Sequence, residues 1–523
     1  MIFNHINILR VKIYISNFAC TYNQIQNSNL QNKTTVTTFI ICIVALILGS
    51  IFYGRFVEKA VGVDASNPMP CDTMRDGIDF VPMNPWKVYL IQFLNIAGTG
   101  PIFGAIMGIL FGPAAYIWIV LGCIFAGAMH DFMSAMISLR DNGSSLPEQI
   151  TENLGKSVGM VMRLVTMILL IMVVAVFVST PASLLSNLTS GWGMFEQFSA
   201  WTGMEDQAAA CVLFWTIIIF AYYLLATLLP ISALIGKIYP VFGAALLIMA
   251  VGVGFGIFFQ DGLNGSTWMP EITEAFQNHH PKGTPLFPML CITIACGAIS
   301  GFHATQSPLM IRCTQNEKHV RPVFYGAMIT EGIVALIWAA AAIKYTGSYE
   351  GLWNEMNNNP AIIVNAICHD WMGHVGAVLA ILGVVAAPVT TGDTALRSAR
   401  LITADFLHYK QDKIFNRLAI ALPLAGIVIF LMNIDFSILW RYFGWINQTL
   451  SVFTLWGITV WMSKHGKNIW ISLIPAMFMT FTCTSFILVC PQAQGGLGLP
   501  EWIGLGAGAV ASLACCGIFF KTK

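Results

Sequence analysis

The chain has 523 residues, of which 56% are apolar and only 10% are charged, and its mean hydropathy is +0.71. Soluble domains carry about 25% charged residues, so this composition excludes a soluble protein and indicates a polytopic membrane protein. The formal net charge of +1 argues against a nucleic-acid partner, because such binding needs a dense basic surface.

The 13 cysteines include no CxxC pair, and most of them lie in apolar runs. A free thiol in such a run behaves as a small apolar group. The cysteines therefore favour neither a metal site nor a redox role, and we expect no cofactor.

The first 34 residues are polar, rich in Asn and Gln, and lack the apolar core of a signal peptide. We expect a disordered extension over 1–34, or a start codon assigned too early. The rest of the chain is predicted to form a membrane core over 35–345 and a C-terminal five-helix membrane region over 346–523.

A transmembrane helix needs roughly 20 apolar residues, and such stretches recur along the whole chain. Several are interrupted by Gly or Pro. Scanning predicts about thirteen spans, near 36–53, 88–111, 114–137, 161–185, 208–229, 240–260, 286–305, 323–343, 373–390, 418–434, 437–462, 469–490 and 501–520.

Basic residues in the connections agree with this order of spans. Lys and Arg accumulate on the cytoplasmic side, and one set of alternating loops carries about twenty of them. The opposite loops carry only Lys282 and Lys344. The N-terminal extension, with its own basic residues, is the one element on the unexpected side.

Two of the predicted spans are unsuited to continuous helix at mid-membrane. The second contains Gly98-Thr99-Gly100-Pro101 after Asn95, and the seventh contains Gly297, Ser300, Gly301 and His303. Proline removes a backbone donor and glycine disfavours helix. Unsatisfied backbone is tolerated in a membrane only inside protein or beside a water-filled cavity. Close helix packing through small residues is the other interpretation.

The two interruptions are five spans apart, at the first helix of each half of a possible five-plus-five repeat. Since five is odd, the second half has inverted topology. Short, interrupted segments at matching positions of inverted repeats mark the midplane site of secondary transporters. The sequence thus predicts an all-α membrane protein with discontinuous helices and a binding site between them.

Ionisable residues inside the spans are costly and usually functional. His130 and Asp131 lie in the third span, Glu331 lies early in the eighth, and Asp393 follows Thr390 and Thr391 near the end of the ninth. Each of these groups can also be interpreted structurally. His130 and Asp131 can form a polar contact that holds helices together, and Asp393 can be a solvated group at the membrane interface. Glu331 is the better candidate for a proton or cation carrier.

Seven stretches carry a family resemblance: Tyr53–Val57, Asp76–Pro82, Ile96–Pro101, Ala126–Phe132, Ala295–His303, Arg397–Arg400 and Phe443–Gln448. They resemble the carbon starvation protein A (CstA) family of bacterial membrane transporters. The similarity runs from about residue 50 to about residue 460. Members of the family take up peptides during carbon starvation, or pyruvate in some relatives, and their fold is related to that of the amino acid–polyamine–organocation superfamily.

The chain departs from the family pattern in two ways. It resembles a short member that lacks several helices of its longer relatives. Many relatives also carry a His-His pair before the first interruption, where this chain has Ile91 and Gln92. Any role of those histidines does not transfer to this chain.

The sequence therefore favours a secondary active transporter in the cell membrane, coupled to a proton or sodium gradient and taking up peptides. A pyruvate or small-carboxylate symporter is the alternative. Three other classes are less favoured by the sequence. An intramembrane metalloprotease would carry an H-E-x-x-H motif, which is absent, and a channel would carry a repeated filter motif, which is also absent. No nucleotide-binding motif is present. The expected substrate site comprises Asn95, Gly98, Thr99, Gly100, Gly297, Ser300, Gly301 and His303. The expected coupling residues are Glu331, His130 and Asp131, with Thr390 and Thr391 as cation ligands by analogy with the fold.

Overall fold

The computed structural model describes residues 36–189, 191–228, 235–357, 359–434, 436–492 and 496–522. The predicted extension over 1–34 lies outside these residues. Within them the regular structure is helical, apart from an isolated bridge between Met83 and Thr314. The predicted all-α fold class is confirmed.

The helices of the first half of the chain include one pair that is sharply bent. The helices Pro85–Ile96 and Gly100–Phe111 meet at an angle of 46°. A π-helical turn over Gly122–Gly127 joins the two helices that follow them. In chain order the helices are α1 (Thr37–Val61), α2 (Pro70–Thr73), α3 (Pro85–Ile96), α4 (Gly100–Gly108, continued by a 3-10 turn to Phe111), α5 (Ala114–Leu121), α6 (Ala128–Arg140), α7 (Leu146–Leu154), α8 (Lys156–Thr189), α9 (Met194–Thr202), α10 (Gln207–Leu228) and α11 (Ile235–Phe259).

The second half begins with a widely separated pair of short helices. In chain order its helices are α12 (Met289–Thr293), α13 (His303–Ile311), α14 (Gly326–Thr346, preceded by a π-turn from Arg321), α15 (Tyr349–Met356), α16 (Pro360–Ala380), α17 (Ala386–Phe406), α18 (Ile414–Leu431), α19 (Phe436–Lys464), α20 (Trp470–Val489) and α21 (Glu501–Thr522). Short 3-10 turns lie in the connections.

Nine helices in the described part of the chain are long and apolar enough to cross a membrane, and the bent pair of α3 and α4 makes a tenth candidate. Each predicted apolar stretch overlaps a helix or a helix pair. The count of thirteen spans and the five-plus-five repeat stay predictions.

The predicted ninth span, 373–390, has the wrong boundaries. Helix runs from Pro360 to Phe406 through α16, a π-turn over Ile381–Val385, and α17. Gly373 interrupts it with φ of +59°. Hydropathy did not predict this length, because charged residues lower the mean hydropathy of α17. Three of them, Asp393, Arg397 and Arg400, are buried inside the protein.

Both interruptions are present where Gly and Pro predict them. The first break comprises residues 97–99 between α3 and α4, and the second break comprises residues 294–302 between α12 and α13. The inner ends of the two broken helices are joined, because the Met83 amide donates to the Cys313 carbonyl over 3.0 Å. The first broken helix packs against α14 through both α3 and α4, whereas α13 of the second packs against α6 and α3. Helix α17 contacts α3 and α13, and α19 contacts α12.

Candidate functional site

A cavity of about 830 Å³ extends from the two breaks to the loop between α11 and α12. Gly100 at the start of α4 and Cys296 in the second break lie at its inner end, which we call the floor. His280, Lys282 and Trp353 lie at its other end, which we call the mouth. The charge rule predicts that the Lys282 loop lies on the outer side of the membrane, so we expect the mouth to face outward.

The first break is short, and few hydrogen bonds hold it. Its backbone turns where the Gly98 amide donates to the Ile96 carbonyl over 3.0 Å, and the helix resumes where the Phe103 amide donates to the Thr99 carbonyl. Pro101 lies in the first turn of α4, where an amide hydrogen would have no helical partner, so its missing hydrogen costs the helix no bond. The side-chain polar atoms of Asn95 and Thr99 are buried without a hydrogen-bond partner.

Glycine is required at Gly100 by a close approach of the two breaks. A Cβ atom at Gly100 would lie 2.5 Å from both Cβ and Sγ of Cys296. Gly98 is less crowded, since a Cβ there would lie 3.2 Å from the Phe177 ring and 3.3 Å from Oγ1 of Thr391. Of the eight predicted substrate residues, Gly100 lines the cavity.

The second break is longer, and side chains from neighbouring helices bond its backbone. Trp118 donates to the Ile294 carbonyl over 3.0 Å, Gln448 donates to the Ile299 carbonyl over 2.9 Å, and Oδ1 of Asn447 accepts from the Phe302 amide over 2.7 Å. The Ser300 hydroxyl also donates to Oδ1 of Asn447 over 3.1 Å. Such bonds replace the missing helical ladder.

The two glycines of the second break lie in close contacts. A Cβ at Gly301 would lie 2.4 Å from the backbone of α19, and a Cβ at Gly297 would lie 2.7 Å from Cβ of Ala335 in α14. Gly297 also has φ of +93°, which favours glycine. The packing interpretation of small residues accounts for both positions.

Four ionisable side chains from three separate stretches of the sequence form a buried chain. Nδ1 of His130 lies 2.8 Å from Oδ1 of Asp131, and Nδ1 of His303 lies 3.0 Å from Oδ2 of the same carboxylate. Nε2 of His303 lies 3.6 Å from Oε2 of Glu331. All four side chains are fully buried, and both Glu331 oxygens are without a hydrogen-bond partner.

This chain, which we call the carboxylate–histidine chain, reaches the cavity floor through Cys296. Ligand atoms of Cys296, His303 and Glu331 lie within 4.8 Å of one another. Among the described residues, this trio is the group whose donor atoms could share a cation. Because Cys296 lines the cavity, a proton or small cation at Glu331 would have a short path to it.

The threonines predicted as cation ligands lie on α17 behind the first break. The Thr391 hydroxyl donates to the Leu94 carbonyl of α3 over 3.2 Å and to the Ala387 carbonyl over 2.9 Å. The Thr390 hydroxyl bonds within its own helix, to the Ala387 carbonyl. Thr391 is thus the one that contacts α3.

Asp393 is not solvated at an interface, which was one of its two interpretations. Its side chain is fully buried, and its Oδ2 accepts hydrogen bonds from the hydroxyls of Tyr222 and Tyr239. The tyrosines belong to α10 and α11, so the carboxylate joins three helices. The solvated interpretation is wrong because α17 continues past the apolar stretch into the protein interior.

Sequence reasoning missed the wall of the cavity that α8 provides. Ser179, Thr180 and Ser183 line it. They belong to the run Ser-Thr-Pro-Ala-Ser at 179–183, a polar interruption of an otherwise apolar helix. That interruption is the signal that could have found them. Phe443 and Trp353 also line the cavity, and no pattern in the sequence distinguishes them from other aromatic residues.

Two solved structures share this fold. A Na⁺-coupled sialic acid symporter in a substrate-bound, outward-open state matches with a TM-score of 0.51 and 14% identity, over 92% of this chain and 96% of the other. MhsT in complex with L-phenylalanine matches with a TM-score of 0.53 and 13% identity, over 83% and 98%. The apolar helices and this shared fold define a helical, multi-pass membrane protein.

The family model of carbon starvation protein CstA matches residues 34–204, 200–372 and 360–486. The chain belongs to the CstA family, as its seven motifs predict. Its residence in the cell membrane follows from this membership and from its apolar helices.

Relatives of the chain include both peptide and pyruvate transporters. An uncharacterized membrane protein of Haemophilus influenzae is 43% identical over 59% of this chain and 90% of its own length. The peptide transporter CstA of Campylobacter jejuni is 28% identical over 86% and 80%. The pyruvate/proton symporter BtsT of Escherichia coli is 29% identical over 66% of this chain but 56% of its own length.

Proposed function

We propose that this chain is a secondary active transporter that takes up peptides and is driven by a proton or sodium gradient. The observation that carries the proposal is the meeting of two helix breaks at the floor of an outward cavity, where Gly100 faces Cys296. A cavity of about 830 Å³ lies within the range of roughly 300–1,000 Å³ that small-molecule sites occupy. Relatives named as peptide transporters support the substrate class.

The proposed route is alternating access by rocking of the broken helices. The bond between Met83 and Cys313 links the inner ends of α3 and α13. On the inner side, Arg397 of α17 lies 3.4 Å from Asp79, in the segment that precedes α3. Separation of this pair while the mouth closes would open the cavity to the cytoplasm.

The substrate site is proposed to comprise the eight residues predicted from the sequence. Gly100 contacts the substrate directly. The other seven shape the two breaks behind the floor and supply their polar groups; they are Asn95, Gly98, Thr99, Gly297, Ser300, Gly301 and His303.

The coupling ion is proposed to bind at the carboxylate–histidine chain. Glu331 carries it, and Asp131 holds His303 beside the Glu331 carboxylate. His130 fixes the other oxygen of Asp131. If the ion is sodium, Thr391 and the Leu94 carbonyl, which are already 3.2 Å apart, offer ligands next to the first break, with Thr390 beside them.

A small carboxylate such as pyruvate is the second candidate substrate. The described residues that line the cavity include one permanent charge, that of Lys282, and no Asp or Glu. An anion without an ammonium group suits such a lining. The E. coli relative named as a pyruvate/proton symporter belongs with this candidate.

Uptake into proteoliposomes tests the proposal. The purified chain is reconstituted, an inward proton or sodium gradient is imposed, and labelled tripeptide and labelled pyruvate are offered separately. A transporter accumulates its substrate and exchanges it in counterflow without a gradient. A channel would equilibrate the substrate without accumulating it, an enzyme would alter it chemically, and either result would overturn the proposal.

A further inference from the structure

Lys282 at the mouth of the cavity is a basic residue with no ion-pair partner in the described part of the chain. The other basic residue predicted on the outer side, Lys344, has a structural role. Its Nζ donates to the Ile257 carbonyl over 2.8 Å and to the Gln260 carbonyl over 2.6 Å, at the end of α11. Lys282 is therefore the outer cation that is available to a ligand.

A small turn holds Lys282 over the cavity. Its Nζ lies 5.5 Å from the centre of the Trp353 ring, and its amide donates to Nδ1 of His280 over 3.2 Å. The His280 ring in turn contacts the rings of Phe111 and Trp353, with centroids 4.7 and 5.6 Å apart. Because burial lowers the pKa of His280 and its Nδ1 accepts a hydrogen bond, His280 is the neutral neighbour of a charged Lys282.

The inner part of the cavity offers acceptors instead of cations. The Ser179 hydroxyl donates its hydrogen to the Ala175 carbonyl over 3.0 Å, and the Thr180 hydroxyl donates to the Val176 carbonyl over 2.9 Å. With their hydrogens committed, these hydroxyls present lone pairs to a ligand. The cavity is thus polarised, with a cation at the mouth and acceptors on the α8 wall.

The distance between the two ends sets the length of a ligand that reaches both. The helical stretch from Gly100 at the floor to Phe111 beside His280 spans roughly 17 Å at 1.5–2.0 Å per residue. An extended peptide spans at most about 3.3–3.6 Å per residue. A chain of about three to five residues bridges most of this length, whereas a three-carbon acid contacts one end only.

We propose that Lys282 binds the C-terminal carboxylate of an oligopeptide of about three to five residues, with the amino-terminal end directed toward Ser179, Thr180 and the floor. This orientation rests on the proposed peptide transport and specifies it. Lys282 then sets both the polarity and the preferred length of the substrate. The carboxylate enters the mouth last and remains beside the partly exposed ammonium group.

The experiment compares free peptides with their C-terminal amides in reconstituted wild-type protein and in Lys282→Met. Labelled trialanine, tetra-alanine and dialanine are used, each as the acid and as the amide. In wild type, amidation of tri- and tetra-alanine should raise KM about fivefold, the size that a partly solvated ion pair supports. Lys282→Met should raise KM for the acids by a similar factor and leave KM for the amides unchanged.

Two further arms make the result specific. Lys282→Arg keeps the charge and should restore the preference for the acid, whereas Lys410→Met, at an exposed lysine on the opposite face, should change neither KM. The ratio of amide to acid KM should be smallest for dialanine, because it cannot reach both ends of the cavity.

Equal KM values for acid and amide in wild type would overturn the proposal while peptide transport stands. An equal rise of both values in Lys282→Met would also overturn it, because the lysine would then act on the shape of the mouth. If wild type accumulates pyruvate and none of the peptides, the proposed peptide transport itself fails, and this orientation fails with it.

Discussion

The two helix breaks differ in how their polar groups are bonded. In the second break, Trp118, Asn447 and Gln448 from neighbouring helices bond the freed backbone, and Gly301 packs directly on α19. In the first break, the side chains of Asn95 and Thr99 are buried without partners. Side chains of neighbouring helices hold the second break, whereas the first retains unused hydrogen-bonding capacity behind the cavity floor.

This difference assigns different roles to two similar motifs. A buried polar group without a partner costs free energy, so it persists where a ligand or a second conformation satisfies it. We infer that the first break changes its bonds during transport, whereas the second break gives the carboxylate–histidine chain a fixed frame. Variants that act on one break alone can separate these roles.

The largest effect is expected from filling the gap between the breaks. Gly100→Leu places its side chain on Cys296, since even a Cβ would lie 2.5 Å from its sulfur. The breaks must then move apart by about 1 Å to restore ordinary van der Waals contact, which lies at roughly 3.5–4.0 Å. We expect Gly100→Leu, and also Gly98→Leu, to abolish uptake in proteoliposomes while expression stays near wild type.

Gly506→Leu is the matched control, because Gly506 in α21 is exposed and has open space where a Cβ would stand. It should transport like wild type. Full uptake by both Gly98→Leu and Gly100→Leu would mean that these glycines are packing contacts only, and the first break would lose its proposed role.

Glu331→Gln tests whether the carboxylate–histidine chain, which the second break supports, carries the coupling ion. The variant keeps the size of the side chain and removes its ability to carry a proton or to neutralise a cation. Gradient-driven accumulation should fall to a concentration ratio near one, while counterflow exchange of labelled substrate continues, because exchange need not release the coupling ion. Accumulation and counterflow are measured in the same proteoliposome preparation.

Glu350→Gln, at an exposed carboxylate in α15, is the control for Glu331→Gln. Accumulation like wild type by Glu331→Gln over the whole pH range would remove Glu331 from the coupling path. His303 and His130 would then be the next positions to replace, because both contact the same Asp131.

Hydropathy, glycine and proline were sufficient to predict the class of fold and the places of both breaks. These signals are local: about 20 apolar residues specify a span, and Gly-Thr-Gly-Pro interrupts it. Hydropathy failed at α16 and α17, where buried charges such as Arg397 break the apolar run. A buried charge with a partner resembles a loop residue when only the sequence is read.

The individual residues of the candidate site could be predicted from the sequence, but their arrangement in space could not. His130, Asp131, His303 and Glu331 each stood out as ionisable groups in apolar spans. Their order in one chain depends on contacts between residues up to 172 positions apart, which no local pattern encodes. Cys296 was interpreted as a small apolar residue, and its position on the cavity floor becomes visible only once α4 and the second break meet.

Asn447→Ala measures how strongly the second break is held. The change leaves the Phe302 amide and the Ser300 hydroxyl without their shared acceptor. Loss of a buried partner costs about 1–3 kcal/mol, so the midpoint of thermal unfolding in detergent should fall. Asn433→Ala, at an exposed position, is the control. An unchanged midpoint in Asn447→Ala would show that side chains do not anchor this break.

The smallest effect is expected at the contact between α17 and the first break. Thr391→Val keeps the shape of the side chain and removes the hydroxyl that contacts the Leu94 carbonyl over 3.2 Å. One neutral oxygen ligand contributes about 1 kcal/mol, so the sodium concentration for half-maximal uptake should rise about fivefold if sodium is the coupling ion. Thr403→Val is the control, because its hydroxyl makes the same bond to a carbonyl four residues earlier in α17 without reaching α3.

If uptake by the wild type requires sodium and Thr391→Val keeps the wild-type dependence, Thr391 is not a cation ligand. If uptake needs only a proton gradient, Thr391→Val should take up substrate like the wild type. The carboxylate–histidine chain alone would then couple the gradient to the movement of the first break.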